Sequence, residues 1–94
     1  MAKSITATSS GGVATGVLIY KMELVPDGGS VQIRIYSGTD ETGTERYRMY
    51  ATENAEVRDF SPALHIPGPV YLYFYSGTGA ITFVTEEDIA SIVA

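Results

Sequence analysis

The sequence contains no cysteine and no tryptophan, only 4 prolines, and a single histidine, His65, in 94 residues. Without cysteine there is no disulfide, no thiolate nucleophile and no cysteine-ligated zinc. His65 has no second histidine to share a metal with, so it reads as an ordinary loop or strand-edge residue. The chain has no Gly-x-Ser-x-Gly elbow and no Gly-x-x-x-x-Gly-Lys phosphate loop. No apolar run approaches the ~18 residues that span a bilayer. The start, Met1-Ala2-Lys3-Ser4-Ile5-Thr6, has one positive charge but lacks the apolar stretch of a secretion signal. Positive charge is scarce throughout: 6 Lys and Arg stand against 11 Asp and Glu, giving a net charge of −5 and a pI near 4.6. Nucleic acid and anionic membranes need a concentrated positive field, so neither is expected as a partner. Helical periodicity is also almost missing.

What remains is apolar, aromatic and glycine-punctuated. Hydrophobic residues make up 45% of the chain, with 10 Gly and 7 Tyr, enough for a folded core in a single domain over residues 1–94. A domain this small buries roughly 60–65% of its unfolded surface. Its stability as a lone unit is then of the order of ~5–10 kcal/mol. Association is a ready further source of stability.

Two-residue alternation dominates. Residues 5–8 form a short first strand, and residues 13–24 a longer one. In the latter, alternation puts Leu18, Tyr20, Met22 and Leu24 on one face and Val17, Ile19, Lys21 and Glu23 on the other. Pro26-Asp27-Gly28-Gly29 is a strong turn, expected to close a hairpin. Residues 30–36 point Val31, Ile33 and Ile35 inward and Gln32, Arg34 and Tyr36 outward. Residues 37–44 form an exposed polar loop. Residues 45–51 alternate again, with Tyr47, Met49 and Ala51 on one face. Residues 56–60 form a strand that Pro62 either ends or confines to an edge. Pro67-Gly68-Pro69 makes a corner. In residues 70–75, Val70, Leu72 and Phe74 alternate with Tyr71, Tyr73 and Tyr75, and Ser76-Gly77-Thr78-Gly79 is expected to hairpin into residues 80–85. Tyr36-Ser37-Gly38-Thr39 and Tyr75-Ser76-Gly77-Thr78 read as two strand exits with shared turn chemistry. The tail, residues 86–94, fits a helix start, a last strand or an arm that orders on a neighbour. The whole is expected to be all-β: an antiparallel β-sandwich of about seven or eight strands, jelly-roll or immunoglobulin-like. Residues 1–10 are expected as an N-terminal arm and 86–94 as a C-terminal tail.

No constellation points to catalysis. Asp40-Glu41 with Glu45 does not meet the alternating pattern of a calcium loop. Glu86-Glu87-Asp88 reads as solvated charge, and a glycosidase pair needs a walled cleft. The chain is therefore expected to be no enzyme, with no cofactor and no metal. The informative surface is aromatic. Tyr71, Tyr73 and Tyr75 share one strand face, with Tyr36 and Tyr50 as cross-strand neighbours. Such a face fits internal sheet packing, a protein interface or sugar stacking. These five tyrosines, together with Ile89, Ile92 and Val93 of the tail, are the candidate interface residues.

The order of features carries a resemblance. Gly12-Val13-Ala14-Thr15-Gly16-Val17-Leu18-Ile19-Tyr20 precedes a Gly-Gly turn. Ser30-Val31-Gln32-Ile33-Arg34-Ile35-Tyr36-Ser37-Gly38-Thr39 follows. Then come Gly43-Thr44, Phe60 with a Pro-Ala-Leu-His-Ile segment, Pro67-Gly68-Pro69-Val70-Tyr71-Leu72 and a final Gly-Thr-Gly turn. This resembles small β-sandwich structural proteins of tailed bacteriophages and prophages, over residues 12–84. Pro69 replaces a bulky apolar residue common in that group, and the tail lies outside the pattern. The resemblance implies a virion protein, foremost a capsid decoration (cement) protein that binds the major capsid protein on the head exterior. It also implies a homo-oligomer, with a trimer favoured, made in the host cytoplasm. A neck, tail or fibre-base component and a carbohydrate-binding module using the tyrosine face are the alternatives.

Overall fold

A computed structural model describes residues 3–13 and 16–85, with only the backbone of Lys3. Eight strands follow in order: β1 (Lys3–Ala7), β2 (Gly11–Val13), β3 (Val17–Pro26), β4 (Val31–Ser37), β5 (Thr44–Ala51), β6 (Glu56–Ile66), β7 (Val70–Ser76) and β8 (Gly79–Thr85). They form two four-stranded sheets, ordered β1-β8-β3-β6 and β2-β7-β4-β5. Every pairing is antiparallel. The tail, including Ile89, Ile92 and Val93, lies outside the described residues.

The pairings have a simple logic. β1 pairs with β8, β2 with β7, β3 with β6 and β4 with β5. This is one long hairpin whose tip is the 38–43 loop. It is rolled up so that β3 also meets β8 and β4 also meets β7. That wrapping is the jelly roll, which decides between the two sandwich types the sequence left open. Inward residues of both sheets share a single core: Ile19, Met22, Leu24, Ile66, Ile81 and Phe83 from one, Val31, Ile33, Ile35, Met49, Val70 and Leu72 from the other.

Three expectations are corrected. First, neither glycine turn closes a hairpin within a sheet. β3 and β4 lie in different sheets, as do β7 and β8. Both turns carry the chain across the core, and they sit side by side: the Asp27 N–H donates to the Thr78 carbonyl at 3.0 Å. At Gly77, where φ is +74, a Cβ would run into the Ser30 carbonyl oxygen.

Second, residues 13–24 are not one strand, because β2 ends at Val13 and β3 begins at Val17 in the other sheet. Third, β3 does not keep one alternation. The register slips between Ile19 and Lys21, leaving Tyr20 as an extra, unpaired residue. A bulge of this kind inverts the facing of everything beyond it. Val17 and Ile19 therefore share the buried face with Met22 and Leu24, while Leu18 and Tyr20 are exposed.

The short first strand read from residues 5–8 is present, shifted to residues 3–7. They form β1, an edge strand paired in register from Lys3↔Thr85 to Ala7↔Ile81. Beyond residue 60, β6 continues to Ile66 as the other edge of that sheet. Pro62 lacks an N–H, and the ladder jumps from Ile19↔Leu64 to Lys21↔Asp59 around it. Phe60 turns back onto Tyr47, their rings edge to face at 5.3 Å.

Candidate interaction surface

The outward residues of the β2-β7-β4-β5 sheet form the most organised surface of the molecule. Alternation on β7 buries Val70 and Leu72 and turns Tyr71, Tyr73 and Tyr75 out. On β4 it turns out Gln32 and Arg34, with Tyr36 beyond them. The register then sets these residues in rows. Tyr36 lies beside Tyr71 on one side and Glu45 on the other, Arg34 lies between Tyr73 and Arg48, and Gln32 lies beside Tyr50. A second slip, between Ile35 and Tyr36 on β4, brings Glu45 rather than Arg46 beside Tyr36.

The rings tile the face. Tyr71 and Tyr73 lie nearly parallel, with centroids 6.3 Å apart and planes 27° from each other. Tyr73 meets Tyr75 edge-on at 6.2 Å and leans on Tyr36 at 6.4 Å. Tyr36 is thereby covered by its neighbours, whereas Tyr75 and Tyr50 are each 50% exposed. The structure thus gathers Tyr36, Tyr71, Tyr73 and Tyr75 into one cluster. Tyr50 stands on the same face across Gln32 and joins none of these ring pairs.

Arg34 is the centre of the face. Its guanidinium carbon lies 3.5 Å above the Tyr75 ring centroid, a cation–π contact. Its Nη2 donates to Gln32 Oε1 at 3.4 Å. Its Nε is buried without a hydrogen-bond partner and lies 3.9 Å from Glu45 Oε1, an ion pair too long to be a hydrogen bond. Partial burial works against the charge, but a hydrogen bond with Tyr36 and the electrostatic pull of the Tyr75 and Tyr36 phenol groups and the Glu45 carboxylate offset it. The guanidinium is therefore held above its ordinary value. Glu45 also takes two parallel bonds from Arg48, from Nε at 3.1 Å and from Nη2 at 3.0 Å. Arg46 Nε donates to Ser37 Oγ at 3.1 Å.

Arg34, Arg48 and Glu45 belong to this surface and were absent from the sequence-based candidates. Arg34 shows its outward position in the sequence, between Ile33 and Ile35. Its place over Tyr75 depends on the β4–β7 register, which no local pattern specifies.

The remaining polar clusters are separate. His65 is exposed on β6, opposite Leu18. Asp40 accepts bonds from the Thr42 N–H and hydroxyl, which hold its carboxyl below the usual range. Among the described residues no three His, Asp or Glu side chains converge as a metal site. An apolar cavity of about 40 Å³ lies between the sheets, lined by residues that include Ile5, Val13, Val17, Leu72 and Phe83. No helix among the described residues is long and apolar enough to cross a membrane.

The outer face of the other sheet is different in kind. Leu18, Tyr20 and Val25 of β3 and Val57 of β6 are exposed there, between 36% and 43%. Comparison with family models, with curated proteins and with solved structures finds no match for this chain.

Proposed function

We propose that this protein is a structural component of a virion: a decoration (cement) protein that seats on the outer head shell of a tailed phage and binds its major capsid protein. The observation that carries the reading is that a rigid sandwich presents interface chemistry on both of its outer faces. One face is tyrosine and arginine, residue types enriched at the cores of protein interfaces. The opposite one is a scatter of exposed aliphatic and aromatic side chains on β3 and β6. A clamp between shell subunits needs two such surfaces, one for neighbouring copies and one for the shell, held at a fixed separation. Repeated seating on a lattice then turns weak single contacts into firm binding. The jelly roll occurs in viral capsid domains, although a fold alone does not assign a function. The sequence resemblance points the same way.

The test is sedimentation with expanded, empty phage shells. The protein at micromolar concentration should pellet with assembled shells and not with free capsid subunits. Protein left wholly in the supernatant contradicts the reading, and label confined to the portal or tail replaces it with a neck or tail role. One observation favours a second reading. Tyr71 and Tyr73 lie side by side and nearly parallel, as a platform for sugar rings would. Specific binding on a glycan array, lost in Tyr73→Ala, would establish that carbohydrate-binding reading; silence on the array would remove it.

A further inference from the structure

One flank of the sandwich is filled with large side chains and the other is not. On the β5–β6 flank, Tyr47, Met49, Phe60 and Leu64 pack on the core, and the Tyr47 and Phe60 rings meet across it. On the opposite flank the edge strands are β1 and β2. Register fixes what β2 turns inward. Gly11 pairs with Leu72 and Val13 with Val70, both buried residues of β7, so Gly11 and Val13 face the core. Gly12 faces out beside Tyr71. From β1, Ile5 and Ala7 turn inward beside Phe83 and Ile81. Of these four inward positions, one holds only a methyl group and one has no side chain.

The cavity of about 40 Å³ lies where that side chain is missing. Gly11 lines it, with Ile5, Val17, Ile35 and Leu72 among the other walls. Thr85 supplies the one polar side chain on its surface. A buried water needs two to four polar partners. The hydrogen bonds of paired strands run along the sheet to the neighbouring strand, not into the space between sheets. An apolar space of this kind stays dry and takes apolar guests. Its volume equals about three water-sized spheres, room for about three carbon atoms. It falls well short of the roughly 150 Å³ that holds benzene. Gly12 and Val13 on its wall are only half-buried, so the wall on this flank reaches the surface. β1 and β2 belong to different sheets, and a guest passing between them breaks no ladder.

We propose that this cavity is a binding site for one small apolar molecule, of the class of saturated hydrocarbons up to about three carbons. Release of the guest from water and dispersion contact with the aliphatic walls supply the attraction. With so little polar surface to orient a guest, the site selects by size. Gly11 sets that size. Its φ is not positive, so a side chain there meets no left-handed penalty and simply enters the cavity. The inference does not rest on the virion role.

Methyl NMR of the full-length protein, under xenon and separately under propane, tests it. Each gas should shift the methyl signals of Ile5, Val17, Ile35 and Leu72 saturably and leave those of Leu24 and Val31, which do not line the cavity, in place. Benzene should shift none of them. Gly11→Val puts an isopropyl group into the space and should abolish the xenon shifts. Gly11→Ala adds a single methyl group and should still admit xenon but exclude propane. This smaller change keeps the test decisive if the valine disturbs the fold, which circular dichroism reports. No saturable shift with either gas, shifts spread evenly over the core, benzene bound as well as propane, or gas shifts unaltered in both Gly11 variants would overturn the proposal.

Discussion

Arg34 shows how one side chain ties this surface together. Its position over Tyr75 depends on a planar guanidinium, which stacks on a ring in a way that an ammonium does not. Arg34→Lys should keep the charge and lose the stack. The Tyr75 ring protons should move toward solvent-exposed shifts in the NMR spectrum, with Tyr36 and Tyr71 affected less. An unchanged Tyr75 spectrum would mean that the contact does not persist in solution. The core makes its own demand at this scale. Ile33 is fully buried between the sheets, and Ile33→Ala should lower the unfolding free energy by about 2–5 kcal/mol. Two glycines separate backbone strain from crowding. Gly28 and Gly77 have nearly the same φ, +78 and +74, but nothing lies within 4 Å of a Cβ built at Gly28. Gly28→Ala should lose only the left-handed penalty of about 1–2 kcal/mol. Gly77→Ala must also push the Ser30 backbone aside, so denaturant titration should rank it clearly below. Equal losses would mean that the two inter-sheet turns do not pack as described.

The extra residue in β3 governs events at the level of elements. Because Tyr20 pairs with neither β6 nor β8, deleting it restores an unbroken alternation in which Val17, Ile19, Met22 and Leu24 all point inward. The deletion should leave the protein folded, with Tm shifted by less than about 10 °C. Deleting Glu23 instead places Met22 and Leu24 on opposite faces and should abolish cooperative unfolding. Thermal melts followed by circular dichroism distinguish the two. The hairpin tip offers a pH test. The Asp40 carboxyl is held low in the native loop by Thr42. Its stabilisation is therefore present above the ordinary value near 3.9 and is lost as pH falls through the lower native value. An NMR titration of the Thr42 amide should show its midpoint below about 3.9. This scale is also where the sequence was most and least readable. The inward sets on β4, β5 and β7 follow from alternation, since each runs unbroken over its core residues. The inversion in β3 is hidden, because Leu18, Tyr20, Met22 and Leu24 alternate as well as the true set does, and only pairing with β8 tells them apart.

For the whole molecule, the strand count and sandwich class were legible and the wrapping was not. Turn residues such as Asp27, Gly28 and Gly77 report that the chain reverses. They do not report whether the next strand lies beside the last one or across the core. The tyrosine face was half legible for the same reason: alternation turns Tyr71, Tyr73 and Tyr75 outward, but only the sheet order brings Arg34 and Glu45 among them. The functional account depends on two outer faces that look in opposite directions, one built of tyrosine and arginine, one with exposed aliphatic and aromatic side chains scattered among charges. The most direct measurement is a cryo-EM reconstruction of empty phage shells incubated with this protein. The account predicts jelly-roll density on the outer surface at regular lattice positions, in contact with neighbouring capsid subunits and with its own copies. An undecorated shell, or density confined to the portal or tail, would contradict it.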